Sequence, residues 1–246
     1  MMNKSLISII LAAGKGTRMN SNIPKVLHEV GGKPMIIHVI QTAKILGSEQ
    51  VITVLGYEHE MVQEIIKDEG IKFALQLKQL GTAHAVLQCC NILENYHGNI
   101  LILYGDVPMT KVTTLSNLMS IHENEDACCT ILTTDLPDPT GYGRIIRNPN
   151  HSLVKIVEEK DASIEERKIQ EINSGIYVFD SQTLFRLLPL VENNNKQNEY
   201  YLPDVINLII QEGGKVAIDK IIDYIEIQGV NNLEQLHDVN ELYENI

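Results

Sequence analysis

The strongest constraint on the fold is an alternation of short apolar runs with stretches of helical spacing through the first half of the 246-residue chain. Ser5–Ala12 is a short apolar run, Pro34–Leu46 has helical spacing, and Gln50–Leu55 is again β-rich. Met61–Lys67 and Ala83–Leu93 read as helices with the short strand Lys72–Leu75 between them, and the apolar strand Asn99–Leu103 leads into a helix over Val112–His122. Such alternation implies βαβ units and a mostly parallel sheet covered on both faces.

The second half is less regular. Cys128–Thr134, Gly143–Ile146, Leu153–Glu158 and Ile172–Phe179 look like strands, joined in part by the polar loop Asp135–Tyr142. They are expected to lie over the carboxyl edge of the sheet as a smaller β-rich lobe. Helices at Ser181–Leu188 and Asp204–Glu212 follow, then strands near Val216–Ile218 and Tyr224–Ile227. Apolar positions at Leu233, Leu236, Val239 and Leu242–Tyr243 give the last stretch, Leu233–Ile246, a helical period with no C-cap. The expected class is α/β: a Rossmann-like, mostly parallel sheet with helices on both faces plus the β-rich lobe.

Composition narrows the partners. A formal charge of −12 repels nucleic acid and offers an anionic membrane nothing to hold. Yet Lys4, Lys15, Arg18 and Lys25 fall in a segment, Lys4–His28, without one acidic residue. A basic segment with glycines inside it suits a small polyanion. No run approaches the roughly 20 apolar residues of a membrane-spanning helix, and the start does not read as a secretion signal, so a cytoplasmic location is expected. The cysteines, Cys89-Cys90 and Cys128-Cys129, lack zinc-site spacing and are expected to be reduced, packed thiols.

In open α/β sheets ligands sit outside the carboxyl ends of the strands. Three strands end in polar or glycine-containing turns, Ala13–Arg18, Gln76–Thr82 and Tyr104–Pro108, which should converge on one crevice. In the first, Gly14-Lys15-Gly16-Thr17-Arg18 can point amides at an anion, with Pro24-Lys25 returning a further cation. It is neither a P-loop nor a G-x-G-x-x-G loop; on its own it is equally a tight turn bearing exposed cations. Asp106, just past an apolar strand, suits a hard divalent cation beside phosphates, or else an Asx-turn. Asn231 offers an amide oxygen to the same cation, while Asn232 suits the N-cap of the last helix. Asp138–Arg144 is a hydrogen-bonding, glycine-rich loop of a kind that fits a sugar. The histidines have no metal-ligand spacing, and no nucleophile motif occurs.

Together these strings resemble the N-terminal uridyltransferase domain of the bacterial bifunctional GlmU family. Leu11-Ala-Ala-Gly-Lys-Gly-Thr-Arg-Met19 with Pro24-Lys25 marks nucleotidyltransferases generally. More specific are Gln79–Ala85, Tyr104–Pro108, Asp138–Ile145, Ile156–Asp161, Gln170–Ile176, Glu199–Tyr201 and Gly229–Asn232, which keep the family's order from Leu6 to about residue 240. Departures are mild: Ala83 where Gly is frequent, Ser174 where Thr is usual, and Met109 where Leu is common.

The resemblance implies a nucleotide-diphospho-sugar transferase fold and a nucleotide site built from Leu11, Ala12, Ala13, Gly14, Lys25, Gln76, Gly81 and Thr82. Arg18 and Lys25 would be catalytic, binding the phosphates. Tyr104, Gly105, Gly143, Glu158, Asn173 and Asn231 would line the sugar side, with Asp106 and Asn231 holding Mg²⁺. The implied reaction joins UTP and N-acetylglucosamine 1-phosphate to give UDP-N-acetylglucosamine and pyrophosphate, for peptidoglycan and lipopolysaccharide precursors. The family continues past a connecting helix, here 233–246, into a left-handed β-helix that transfers acetyl groups and trimerises. That domain's repeats are absent from this sequence, so 1–232 is the expected catalytic domain.

A phosphomonoester with a second pKa of about 6 is already a dianion at neutral pH. No general base is needed, and the difficulty is bringing two anions together. Two rivals remain: the same fold acting on glucose 1-phosphate or another nucleotide, and a silent nucleotide-sugar sensor. The sensor would be expected to have lost Arg18, Lys25 or Asp106, and all three are present.

Overall fold

Strand β1 (Leu6–Ala12) shows why the chain builds a two-faced sheet. Ile7, Ile9 and Leu11 enter one hydrophobic core, while Leu6, Ile10 and Ala12 enter the other. Period-2 alternation with apolar residues on both faces requires helices above and below. The computed structural model describes residues 4–244 and supplies them.

After β1 the chain makes the small hairpin β2 (Glu29–Val30) and β3 (Lys33–Pro34), then α1 (Met35–Ile45), β4 (Gln50–Leu55), α2 (His59–Ile66) and β5 (Lys72–Leu75). It continues through α3 (Thr82–Leu87), β6 (Asn99–Tyr104), α4 (Val112–Glu125) and β7 (Cys129–Asp135). The hairpin β8 (Gly143–Arg147) and β9 (Leu153–Val157) precedes β10 (Glu171–Asp180), α5 (Ser181–Leu187), α6 (Pro203–Gln211), β11 (Val216–Lys220) and α7 (Leu233–Glu244). Nine strands form one sheet along the path β11-β7-β10-β6-β1-β4-β5, with β8 and β9 added beside β10. The β6-β1-β4-β5 neighbours and the β11-β7 pair are parallel; β10 runs against β6, β7 and β8.

The α/β expectation holds, with three local differences. First, the second half does more than cover an edge: β7, β10 and β11 extend the main sheet, and only β8–β9 stands out from it. β10 is buried along all but its last residue, yet Asn173, Ser174 and Gly175 interrupt its apolar pattern. Its register against β7 slips there, from Asn173↔Thr133 to Tyr177↔Ile131. The Ser174 hydroxyl holds the bulge, donating to the Leu132 carbonyl at 2.6 Å and accepting from Ile176 N–H at 3.0 Å.

Second, Tyr224–Ile227 is a single 3₁₀ turn. The Asp223 carboxylate accepts from Ile225 N–H, and the buried Glu226 side chain bonds Thr114 and pairs with Lys111. Local capping overrides an apolar alternation too short to decide.

Third, the helix expected over Ala83–Leu93 ends at Leu87. The Gln88 side chain takes the His84 carbonyl at 2.8 Å while Gln88 N–H bonds Ala85 O, tightening the chain into turns. Of the terminal helix, Asn245 and Ile246 lie outside the described residues. All four cysteines are free thiols, and burial pushes the Cys89 thiol up to about 12, away from reactivity.

Candidate active site

The carboxyl ends of β1, β5 and β6 open on one cleft made of two adjoining cavities, each about 340 Å³. The first is lined by Leu11, Ala12, Ala13, Gly14, Lys25, Gln76, Gly81 and Thr82, so all eight expected nucleotide residues come together. The second takes in Arg18, Gly143, Glu158 and Asn173. Thr82, Tyr104, Asp106, Glu199 and Asn231 border both, forming the floor where the cavities meet. The two cavities thus share these five residues as a common boundary.

The glycine loop places the lysine. Gly16 has φ +59°, and a Cβ there would lie 2.6 Å from Lys25 Cβ. The loop thus needs glycine both for its left-handed turn and for the close approach of the lysine stem. Pro24 fixes entry into the turn Lys25–Leu27, whose Val26 and Leu27 are buried, leaving the Lys25 side chain to cross to β6. Its ammonium bonds Asp106 Oδ2 and donates to Asn231 Oδ1 at 3.1 Å. Arg18, otherwise exposed, donates to the same Asn231 oxygen at 2.8 Å.

These four side chains come from segments up to 213 positions apart. Two cations here meet one carboxylate and one amide, so Arg18 and Lys25 concentrate positive charge at this end of a cleft that Glu158 and Glu199 also border. Asp106 and Asn231 both direct an oxygen at a single cationic atom, Lys25 Nζ. A carboxylate and an amide oxygen converging on one cation is a donor pair suited to a hard divalent ion. Among the described residues no group of three or more His, Cys, Asp or Glu could hold a metal, so any ion here would draw the rest of its shell from water and phosphates.

Helix α7 fixes Asn231 from behind. Gln235 Oε1 accepts from Asn231 N–H, and Asn232 Oδ1 accepts from Gln235 N–H, each at 2.8 Å; the expected N-cap is therefore formed. Further along, Asn240 accepts from Gly31 N–H and donates to the Glu29 carbonyl, both on the hairpin that follows the Lys25 turn. Val239 is buried with Val30, Met35 and Met109.

On the sugar side, the β10 bulge puts Gly175 at φ +84° against the Tyr104 ring; a Cβ there would sit 2.6 Å from Tyr104 Cε2. Asn173 Nδ2 donates to the Tyr177 hydroxyl at 2.6 Å and its side-chain Oδ1 accepts from Gly175 N–H. Glu158 faces Gly143, whose absent side chain leaves 3.2 Å between a built Cβ and Glu158 Oε1. Burial, then the carboxylates of Asp204, Asp161 and Glu199, push the Glu158 carboxyl up to about 7, with Arg144 opposing. Arg144 itself is buried, pairs with Glu159 at 2.8 Å, and bonds the Tyr142 carbonyl of the glycine-rich loop.

Gly105 is the expected site residue that borders neither cavity. Its N–H bonds the Leu11 carbonyl, and a Cβ would press on Val26 and Ala12 at 3.2 and 3.3 Å, so it serves packing. Conversely, Glu199 and Tyr201 border the cleft without an expected role, while Tyr142 reaches it from the loop expected to suit a sugar. Their strings were conspicuous, but nothing in spacing shows that the segment around Glu199 folds back. It does so because Thr82 Oγ1 accepts from Leu202 N–H and the Tyr200 carbonyl accepts from Ala83 N–H, both at 2.9 Å. No helix among the described residues is long and apolar enough to cross a membrane.

The nucleotidyl transferase family description matches residues 7–223. The bifunctional protein GlmU of Alkaliphilus metalliredigens is 48% identical over 96% of this chain and 52% of its own length. That of Staphylococcus carnosus is 47% identical over 92% of the chain and 49% of its own length. The chain thus spans about half the length of these curated relatives. Among solved structures, a putative glucose-1-phosphate thymidylyltransferase from Bacillus anthracis, in complex with a sucrose, has a TM-score of 0.78 at 21% identity, covering 98% of this chain and 96% of its own. UDP-glucose pyrophosphorylase complexed with UDP-glucose has a TM-score of 0.76 at 17% identity, covering 98% and 99%. At those identities the likeness is one of fold.

Proposed function

The chain belongs to the nucleotidyl transferase family, and from that premise we propose that it transfers a uridylyl group from UTP to N-acetylglucosamine 1-phosphate, releasing pyrophosphate. The observation that carries this reading is the junction of the two cavities: Asp106 and Asn231 border both, and Lys25 from one cavity and Arg18 from the other bond to them there. The nucleotide would lie over Leu11–Gly14, Gln76, Gly81 and Thr82, and the sugar against Gly143, Glu158 and Asn173. The reacting phosphates would then sit at the junction.

Arg18 and Lys25 would hold the phosphates in line and offset the repulsion between two anions, which dominates the barrier. Members of this family typically use a divalent metal; Asp106 and Asn231 would hold one here, Mg²⁺ by the chemistry of their oxygens, and it would neutralise phosphate charge. The sugar phosphate attacks as a dianion, so no side chain need take a proton. One displacement with no covalent enzyme intermediate agrees with a cleft that brings up no activated nucleophile among the described residues. The similarity to GlmU proteins over most of this chain supports the choice of uridine and N-acetylglucosamine.

Lys25→Ala and Asp106→Ala, each with the fold retained by circular dichroism, are expected to lower kcat for pyrophosphate release by roughly 100-fold or more. Near-normal turnover in either would refute the assignment.

A further inference from the structure

Gln76 follows β5 and is 3% exposed, with its N–H given to the Leu55 carbonyl at 2.8 Å. Its side-chain nitrogen has two partners: it donates to the Gly81 carbonyl at 2.9 Å and lies 3.0 Å from His84 Nδ1. A carbonyl can only accept, so the nitrogen end of the amide is fixed against Gly81. His84 Nδ1 must then also accept, since a proton there would set two donors face to face. A neutral imidazole has one lone pair. The 3.0 Å contact of Nδ1, against 3.4 Å from Nε2 to Gln88, assigns it to Gln76. Burial lowers the His84 pKa, which keeps the ring in that neutral form. With both amide hydrogens engaged, the Gln76 oxygen takes no hydrogen bond among the described residues and is the end left for a ligand in the nucleotide cavity.

We propose that His84 is a positioning residue that sets base specificity: by holding the Gln76 amide nitrogen it presents the Gln76 oxygen as an acceptor, and so selects a pyrimidine that carries N3–H. Uracil has that hydrogen. Cytosine has a lone pair at N3, which would face the Gln76 oxygen lone pair to lone pair; only a flipped amide would suit it, and that flip breaks both inner hydrogen bonds. The proposal rests on the reading of Gln76 as part of a uridine site. His84 itself borders neither cavity, so it acts only through Gln76.

The test compares kcat/KM for UTP and CTP, with the same sugar phosphate, in the unmodified protein, His84→Leu and His84→Asn. Asparagine can place an oxygen near the position of Nδ1, whereas leucine removes the acceptor. The unmodified protein is expected to favour UTP by roughly 100-fold or more. His84→Leu should cut that ratio about tenfold, as loss of one neutral hydrogen bond implies, while His84→Asn keeps it within roughly threefold. An unchanged ratio in His84→Leu, or an equal fall with both nucleotides, overturns the proposal. No preference for UTP in the unmodified protein would instead sink the uridine reading itself. Should His84→Leu not fold, His84→Ala, which likewise removes the acceptor, takes its place with the same expectation.

Discussion

Glu158→Gln isolates the electrostatic cost of the sugar cavity. Burial and the neighbouring Asp204, Asp161 and Glu199 raise this carboxyl from 4.5 to about 7. At ~1.4 kcal/mol per pH unit the rise corresponds to at most about 3 kcal/mol. Because the side chain borders an open cleft, water screens part of this, and roughly 1–2 kcal/mol is expected. The sign follows from linkage. A carboxyl with a raised folded-state pKa favours the fold fully below its unfolded pKa, and that contribution is lost as pH rises through about 7. Between pH 4.5 and 8.5 the unmodified protein should therefore lose about 1–2 kcal/mol more unfolding free energy than Glu158→Gln. Urea unfolding at several pH values across that window measures both. Parallel profiles would show that Glu158 ionises freely and that the carboxylate cluster does not strain the cavity.

Two further substitutions probe the scaffold. Gly175→Ala adds a Cβ at φ +84° and 2.6 Å from the Tyr104 ring; a loss of about 1–2 kcal/mol is expected from the backbone alone, with a raised KM for the sugar phosphate, and unchanged thermal unfolding would refute it. Arg144→Met removes the buried partner of Glu159 and the bond to the Tyr142 carbonyl. Denaturant unfolding should show a loss of roughly 2–4 kcal/mol, and a stability gain would mean that the ion pair costs more than it contributes.

How far the sequence carries depends on the range of the interactions. Convergence of the three turns followed from parallel topology alone, since carboxyl ends of parallel strands lie on one edge. What spacing could not reveal was long-range: that Gly16 makes room for the Lys25 stem, that α7 braces Asn231 through Gln235, and that Glu199 arrives beside Thr82. Polar residues misled where they do structural work. The strand expected at Ile172–Phe179 is present, but Asn173, Ser174 and Gly175 hid its central place in the sheet, because a bulge needs hydroxyl and amide groups to satisfy the slipped register. Gly105 sits among ligand-lining neighbours, yet borders neither cavity, and an added Cβ there would press on Val26 and Ala12.

The most direct measurement is pyrophosphate release by the purified chain, with UTP and a panel of sugar phosphates, in the presence of Mg²⁺. Rapid release with N-acetylglucosamine 1-phosphate, and far slower release with glucose 1-phosphate, is expected. Release that favours glucose 1-phosphate, or none with any sugar phosphate, would contradict it.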